Sequence, residues 1–115
     1  MKVLRNIAVS AFVTLPILAH HDIDNQFVTN HTVQLVGTVT RVEWVNPHVR
    51  VFMDVKNDQG GMTNWEVDMG SPSGQMQKGW KVDSIRQRDH VTVKAYPAKN
   101  GTPVGYAEKL KVTGH

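Results

Sequence analysis

The sequence predicts a mainly β fold, a small barrel of five strands with one short helix between the third and the fourth. Three observations predict it. Five runs rich in β-branched and aromatic residues alternate apolar and polar positions, the period-two pattern of strands with one buried face. A Ser-Pro pair of the kind that opens a helix stands between the third run and the fourth. The first run is long and irregular, as a strand must be if it bends to serve two sheet edges.

The first strand is expected over residues 32–44. Val33 and Leu35 share one parity, Val42 and Trp44 share the other, and Gly37 lies inside the run, so a bulge and a strong bend are expected. Val45, Asn46 and Pro47 make a tight turn, because Asn and Pro favour turns and Pro has no donor for a ladder. Residues 48–56 form the second strand, with Val49, Val51, Met53 and Val55 on one face and Arg50, Phe52 and Asp54 on the other. Residues 57–61 form a hairpin loop. Residues 62–69 form the third strand, with Trp65, Val67 and Met69 inward and Asn64, Glu66 and Asp68 outward. Ser71 then serves as N-cap and Pro72 as first residue of a helix over 72–78, which Gly79 ends. A connector over 80–88 carries Val82 and Ile85. The fourth strand spans 90–96, with Val91, Val93 and Ala95 on one face, and a Gly- and Pro-containing loop leads to the fifth, over 106–112. Three strands, a helix and two strands, with a bent first strand, describe an OB-like barrel in the order β-β-β-α-β-β. An open antiparallel sandwich with the helix at one end is the alternative.

The N-terminus follows a different logic. Lys2 and Arg5 precede an uncharged, mostly apolar run of 12 residues, Ile7 to Leu18, which Pro16 breaks shortly before the small residue Ala19. A membrane-spanning helix needs roughly 20 such residues. Residues 1–19 are therefore expected to be a signal peptide, residues 20–31 an arm docked by Ile23 and Phe27, and residues 32–115 the barrel domain. The expected location is the bacterial periplasm or the exterior, with no stable membrane anchor after cleavage. The chain of 115 residues has 13 Lys and Arg against 10 Asp and Glu. Cleavage removes Lys2 and Arg5, and the net charge falls from +3 to +1 over the remaining 96 residues. The basic excess that would suggest a nucleic-acid partner is mostly the targeting segment, so no nucleic acid is expected. With no cysteine, an exported domain must be held by packing.

Several short motifs follow one another along the chain. They are Ala19-His20-His21, Gly37-Thr38-Val39, Glu43-Trp44-Val45-Asn46-Pro47-His48, Gly70-Ser71-Pro72, Gly79-Trp80 and Asp89-His90-Val91-Thr92-Val93. In this the chain resembles a family of small exported bacterial proteins known only as domain of unknown function six-one-five-two. Relatives usually follow the histidine pair with Ser, where this chain has Asp22. The resemblance implies export and a small β fold, and it brings no activity.

The sharpest chemical feature is the histidine pair. Cleavage after Ala19 makes His20 the first residue, and its free amine and imidazole can then chelate one metal ion. Nitrogen donors of this kind suit copper, nickel and zinc as divalent ions. His21 offers a competing mode, and His48, beside the tight turn, is the best third donor. The plain alternative is an exposed histidine pair left by processing. A second functional reading is an envelope ligand- or protein-binding module without metal. It would use the first loop with Trp44 and the outward residues Arg50 and Phe52, although turn chemistry and scattered surface residues account for the same positions. The Ser71-Pro72 segment is read as a helix cap, and Lys78, Lys81, Arg86 and Arg88 as a solvated basic stretch. No nucleophile constellation, phosphate loop or paired catalytic carboxylates emerge, so no enzyme is expected.

Overall fold

A computed structural model describes residues 23–115; the segment read as a signal peptide, together with His20 and His21, lies outside the described residues. The strands are β1 (Val33–Glu43), β2 (Val49–Lys56), β3 (Met62–Gly70), β4 (His90–Pro97) and β5 (Val104–Gly114), with helix α1 (Pro72–Gln77) between β3 and β4. They close into a barrel in the order β1-β2-β3-β5-β4, not an open sandwich. Neighbours are antiparallel except β3 and β5, which run parallel through Glu66–Val104, Val67–Gly105 and Asp68–Tyr106.

Closure depends on β1, which pairs with β4 over Val33 to Thr38 and with β2 over Gly37 to Glu43. The register of the β1–β2 ladder breaks between Val39 and Arg41, leaving Thr40 as the extra residue of a bulge. Leu35 and Val39 are buried before the bulge, and Val42 packs on the core after it. The parity slip in the sequence is therefore the bulge itself, which keeps the apolar residues of both halves on the core side. Gly37 sits at the handover between the two partners. A Cβ there would stand 2.0 Å from the Asp54 carbonyl oxygen, so the two strands approach this closely because Gly37 has none.

The barrel is filled by Leu35, Val39, Val49, Val51, Met53, Val67, Met69, Val91, Val93, Ala95 and Leu110, and Ile85 of the connector joins them. A fully buried Val or Met contributes about 1.5–3 kcal/mol, and with no cysteine in the chain these side chains hold the domain by packing. Trp80 packs against the same cluster, whereas Val82 faces solvent. Ser71 caps α1 by accepting from the Gly74 amide at 3.1 Å, and Lys78 is the C-cap. Strand β5 is longer than its apolar alternation suggests, because its backbone pairs with β3 from Val104 and with β4 as far as Gly114. His48 falls outside β2, exposed in the turn that holds a cis Asn46–Pro47 peptide.

The arm is docked. After a helical turn over residues 23–26, Phe27 bridges to Ala98. The Val28 amide donates to the Pro97 carbonyl at 2.8 Å, and the Lys99 amide donates to the Gln26 carbonyl at 2.9 Å. Phe27 is buried, and its ring meets that of Tyr106 at 5.8 Å and 59°. Ile23 is half-buried. Among the described residues no helix is long and apolar enough to cross a membrane.

Candidate functional site

Docking of the arm creates a cleft of about 340 Å³ on the outside of the barrel, lined by Ile23, Gln26, Phe27, Pro47, His48, Asp68, Gly70, Ser71 and Tyr106. Four parts of the chain meet there: the arm, the turn between β1 and β2, the end of β3 with the start of α1, and β5. Each part arrives for a local reason. The pairing of β1 ends at Glu43, and the turn through the cis Asn46–Pro47 peptide leaves His48 exposed before β2. Strand alternation turns Asp68 outward between buried Val67 and Met69. The parallel register with β5 sets Tyr106 beside Asp68. Gly70 forms the floor with φ at 97°, and a Cβ there would press on the Tyr106 hydroxyl at 3.0 Å.

Asp68 is the electrostatic centre of this cleft. Burial pushes its carboxyl from the usual 3.8 up to about 7, helped by a hydrogen bond and charge repulsion from Glu66 and opposed by Arg50. Arg50 stands opposite Asp68 in the β2–β3 register. Asp68 Oδ1 is buried without a hydrogen-bond partner among the described residues. Burial, and then the Asp68 charge, raise the Tyr106 phenol above its ordinary value. A half-buried acid, a phenol and an exposed imidazole thus share one concave surface with apolar walls, an arrangement suited to binding a cation or a small polar ligand.

The residues singled out in the sequence divide into three groups. His48 lines the cleft. His20 and His21 lie outside the described residues, and among the described residues no three His, Cys, Asp or Glu side chains gather to hold a metal ion. Trp44, Arg50 and Phe52 do not line the cleft. Trp44 is half-buried and packs on the core. Glu43 binds Arg41 at 2.9 Å and Arg50 at 3.1 Å, and the Arg41 guanidinium covers the Phe52 ring at 4.1 Å from its centre. Phe52 is therefore part of a charged surface cluster, with one ring face already occupied. Asp68 and Tyr106 were not expected as site residues. The outward parity of Asp68 is visible in the sequence, but nothing local announces that residue 106 lies beside it.

No curated protein sequence matches this chain. Among solved structures, the barrel is similar to the mitochondrial single-stranded DNA binding protein Rim1 of S. cerevisiae. The TM-score is 0.59 at 10% identity, over 76% of this chain and 99% of that one. At that identity the likeness concerns the fold, an OB barrel. A sequence-family model also matches residues 8–107, and the chain belongs to that family, the Family of unknown function (DUF6152).

Proposed function

We propose that this chain is an exported, non-enzymatic OB-like barrel that binds a divalent transition metal, copper first among the candidates. The donors are the amine and imidazole of a processed His20 and the imidazole of His48, with His21 in reserve. One observation carries the proposal: the arm is docked so that Ile23 lines the same cleft as His48. At roughly 3.5 Å per residue, His20 is within about 10 Å of Ile23 along the chain. A processed His20 would then lie three residues from a side chain that lines the cleft of His48, which supports the two acting on one ion. Imidazole and amine nitrogens then favour copper over the earlier first-row metals.

The test uses protein exported and cleaved in its natural way, with intact mass to confirm that His20 is the first residue. Cu(II) is titrated into it and into a version with one additional N-terminal residue. The chelate predicts a loss of affinity of about tenfold or more in the extended protein, together with a changed electron paramagnetic resonance spectrum. Equal affinity and equal spectra overturn the proposal.

A metal-free envelope-binding module is the second reading, supported by the apolar half of the cleft, where Ile23, Phe27 and Pro47 stand beside Tyr106. It predicts that metal-stripped protein still retains an envelope component. Nucleic acid is excluded from the proposal. What Rim1 binds is a property of Rim1, whereas here the chain without residues 1–19 carries a net charge of +1 and Glu66 and Asp68 lie on the outer face. Titration with single-stranded oligonucleotide at low salt is expected to show no saturable binding.

A further inference from the structure

A second hollow, of about 170 Å³, shares no residue with the cleft and holds the Gly79-Trp80 corner of the chain, which the cleft does not use. It exists because the parallel ladder of β3 and β5 ends at Asp68–Tyr106. From Ala107 onward β5 has no ladder partner on that edge, and Gln75 of α1 stands across the gap from it. Two local devices furnish the walls. At the end of α1, the Gln75 carbonyl accepts from the amides of Lys78 and Trp80, at 3.1 and 3.0 Å, and Gly79 turns the chain between them with φ at 96°. Gln75 is itself only 3% exposed, and its side-chain nitrogen donates to the Met69 carbonyl, so this corner is anchored. On β5, Ala107 pairs with Ala95 and Lys109 with Lys94, which makes Glu108 the extra residue of a bulge. Glu108 and Lys109 are both exposed as a result, ahead of buried Leu110. The charges are uneven. Lys94 holds Glu108 at 3.6 Å, whereas among the described residues neither Lys78 nor Lys109 has an ion-pair partner. Lys94 and Lys109, directly opposite in the ladder, also repel each other, and a bound anion would offset that cost. Trp80 packs on the core and still lines the hollow. An indole face attracts polarised C–H groups, such as those on one side of a pyranose ring. Glu108 and the free edge of β5 can bond hydroxyls, while the Glu108 carboxylate works against a phosphate-dense chain. The volume is below the roughly 300–1,000 Å³ of an ordinary small-molecule site, which suits a single ring.

We propose that this hollow binds one acidic sugar unit of a glycan. The ring lies on Trp80, its hydroxyls bond Glu108 and the edge of β5, and its anionic group, a carboxylate or a phosphate, sits between Lys78 and Lys109. The site stands apart from the cleft, so neither success nor failure of copper binding bears on it.

The experiment follows the amide NMR spectrum of the isotope-labelled protein during titration with trigalacturonate, with glucose-6-phosphate and with a neutral galactose trisaccharide. An acidic probe should move the amides of residues 75–80 and 107–110, and the neutral sugar should bind about tenfold more weakly or worse. A response to one acidic probe alone supports the site and identifies the anionic group it takes. Lys78→Gln and Lys109→Gln should each lower that affinity about tenfold. Lys111→Gln, at an exposed lysine outside the hollow, should leave it unchanged. All three lysines are exposed, so the variants should fold, and a thermal melt checks this. If neither acidic probe moves those amides, or K111Q weakens binding as much as K78Q and K109Q do, the site is wrong. If the neutral sugar or a single-stranded oligonucleotide binds there as tightly as the acidic sugars, the ligand class is wrong.

Discussion

Replacing Gly37 with Ala tests the account of how the barrel closes. Gly37 pairs with Val55 on β2 and with Val91 on β4, so both of its backbone edges are engaged. The added Cβ would lie 2.0 Å from the Asp54 carbonyl oxygen and 3.2 Å from the Met53 methyl carbon. The methyl group can rotate away. The carbonyl cannot, because Asp54 is paired with Thr38 on one side and Asn64 on the other. Relief therefore requires β1 and β2 to separate by more than an ångström, since ordinary contact begins near 3.4 Å. Overpacking costs about 1–3 kcal/mol, and weakening two ladder hydrogen bonds adds about 1 kcal/mol each. Loss of glycine's unfolded-state freedom returns up to about 1 kcal/mol. The net is about 2–4 kcal/mol, and for a domain of this size roughly 10–25 °C in Tm. Thermal and urea denaturation followed by circular dichroism measure it. Gly61→Ala in the hairpin loop is the control, because its nearest contact would be an ordinary 3.6 Å, and it should stay within about 0.5 kcal/mol. A G37A melting point equal to or above wild type would refute the close approach of β1 and β2.

The remaining predictions concern the cleft and its supports. Asp68 is neutral in both states below its usual value of 3.8; as pH rises toward about 7 the unfolded chain releases its proton first, so metal-free wild type loses stability across that window and keeps the loss above it. Screened by partial exposure, the loss should be about 1–2 kcal/mol. D68N should therefore exceed wild type by that amount near pH 8 and match it near pH 3, and equal stability at both ends would count against the burial argument. Phe27→Ala removes the ring that meets Tyr106 at 5.8 Å and should free the arm. Limited proteolysis near residue 27 should accelerate and Cu(II) affinity should fall, with the barrel's amide exchange little changed. Asp89 is buried, and burial by itself would raise its carboxyl. The Arg86 amide, donating to it at 2.9 Å, and His115, at 2.9 Å, outweigh that and hold it below its usual value. Asp89→Asn should cost about 1–3 kcal/mol near neutral pH. That difference should fade as pH falls below the usual value of 3.8 toward the lower folded one, because the unfolded carboxylate is protonated first; a difference independent of pH would mean that charge is not involved.

Most of the barrel was legible because strand alternation is a local property. Val49, Val51 and Met53 on one face, Val91, Val93 and Ala95 on another strand, and the Ser71-Pro72 helix start all stand where residue pattern alone sets them. The Val33–Leu35 and Val42–Trp44 parity slip announced a bulge; the structure puts it at Thr40 and gives Gly37 the separate task of close approach. Val55 is half-buried where parity alone would bury it, because it lies near the hairpin end of its strand and lines a surface hollow there with Lys56 and Asn57.

The site was legible only in part. His48 was visible through its turn, and Phe27 through its isolation in a polar arm. Asp68 and Tyr106 each showed a facing direction, but not that they face each other. The outward direction of Arg50 and Phe52 was legible, whereas their contacts with Glu43 and Arg41 appear only in the fold.

The sequence by itself determined the number and order of the strands, the side each residue presents and the chain's family, because backbone sterics and burial act over a few residues at a time. Only the tertiary structure decided that β3 and β5 run side by side in parallel, that the arm packs on Tyr106, and that Ile23, His48 and Asp68 share one cleft. Those are pairings across tens of residues, and each is chosen by which edges and apolar surfaces remain uncovered once the rest of the barrel has closed.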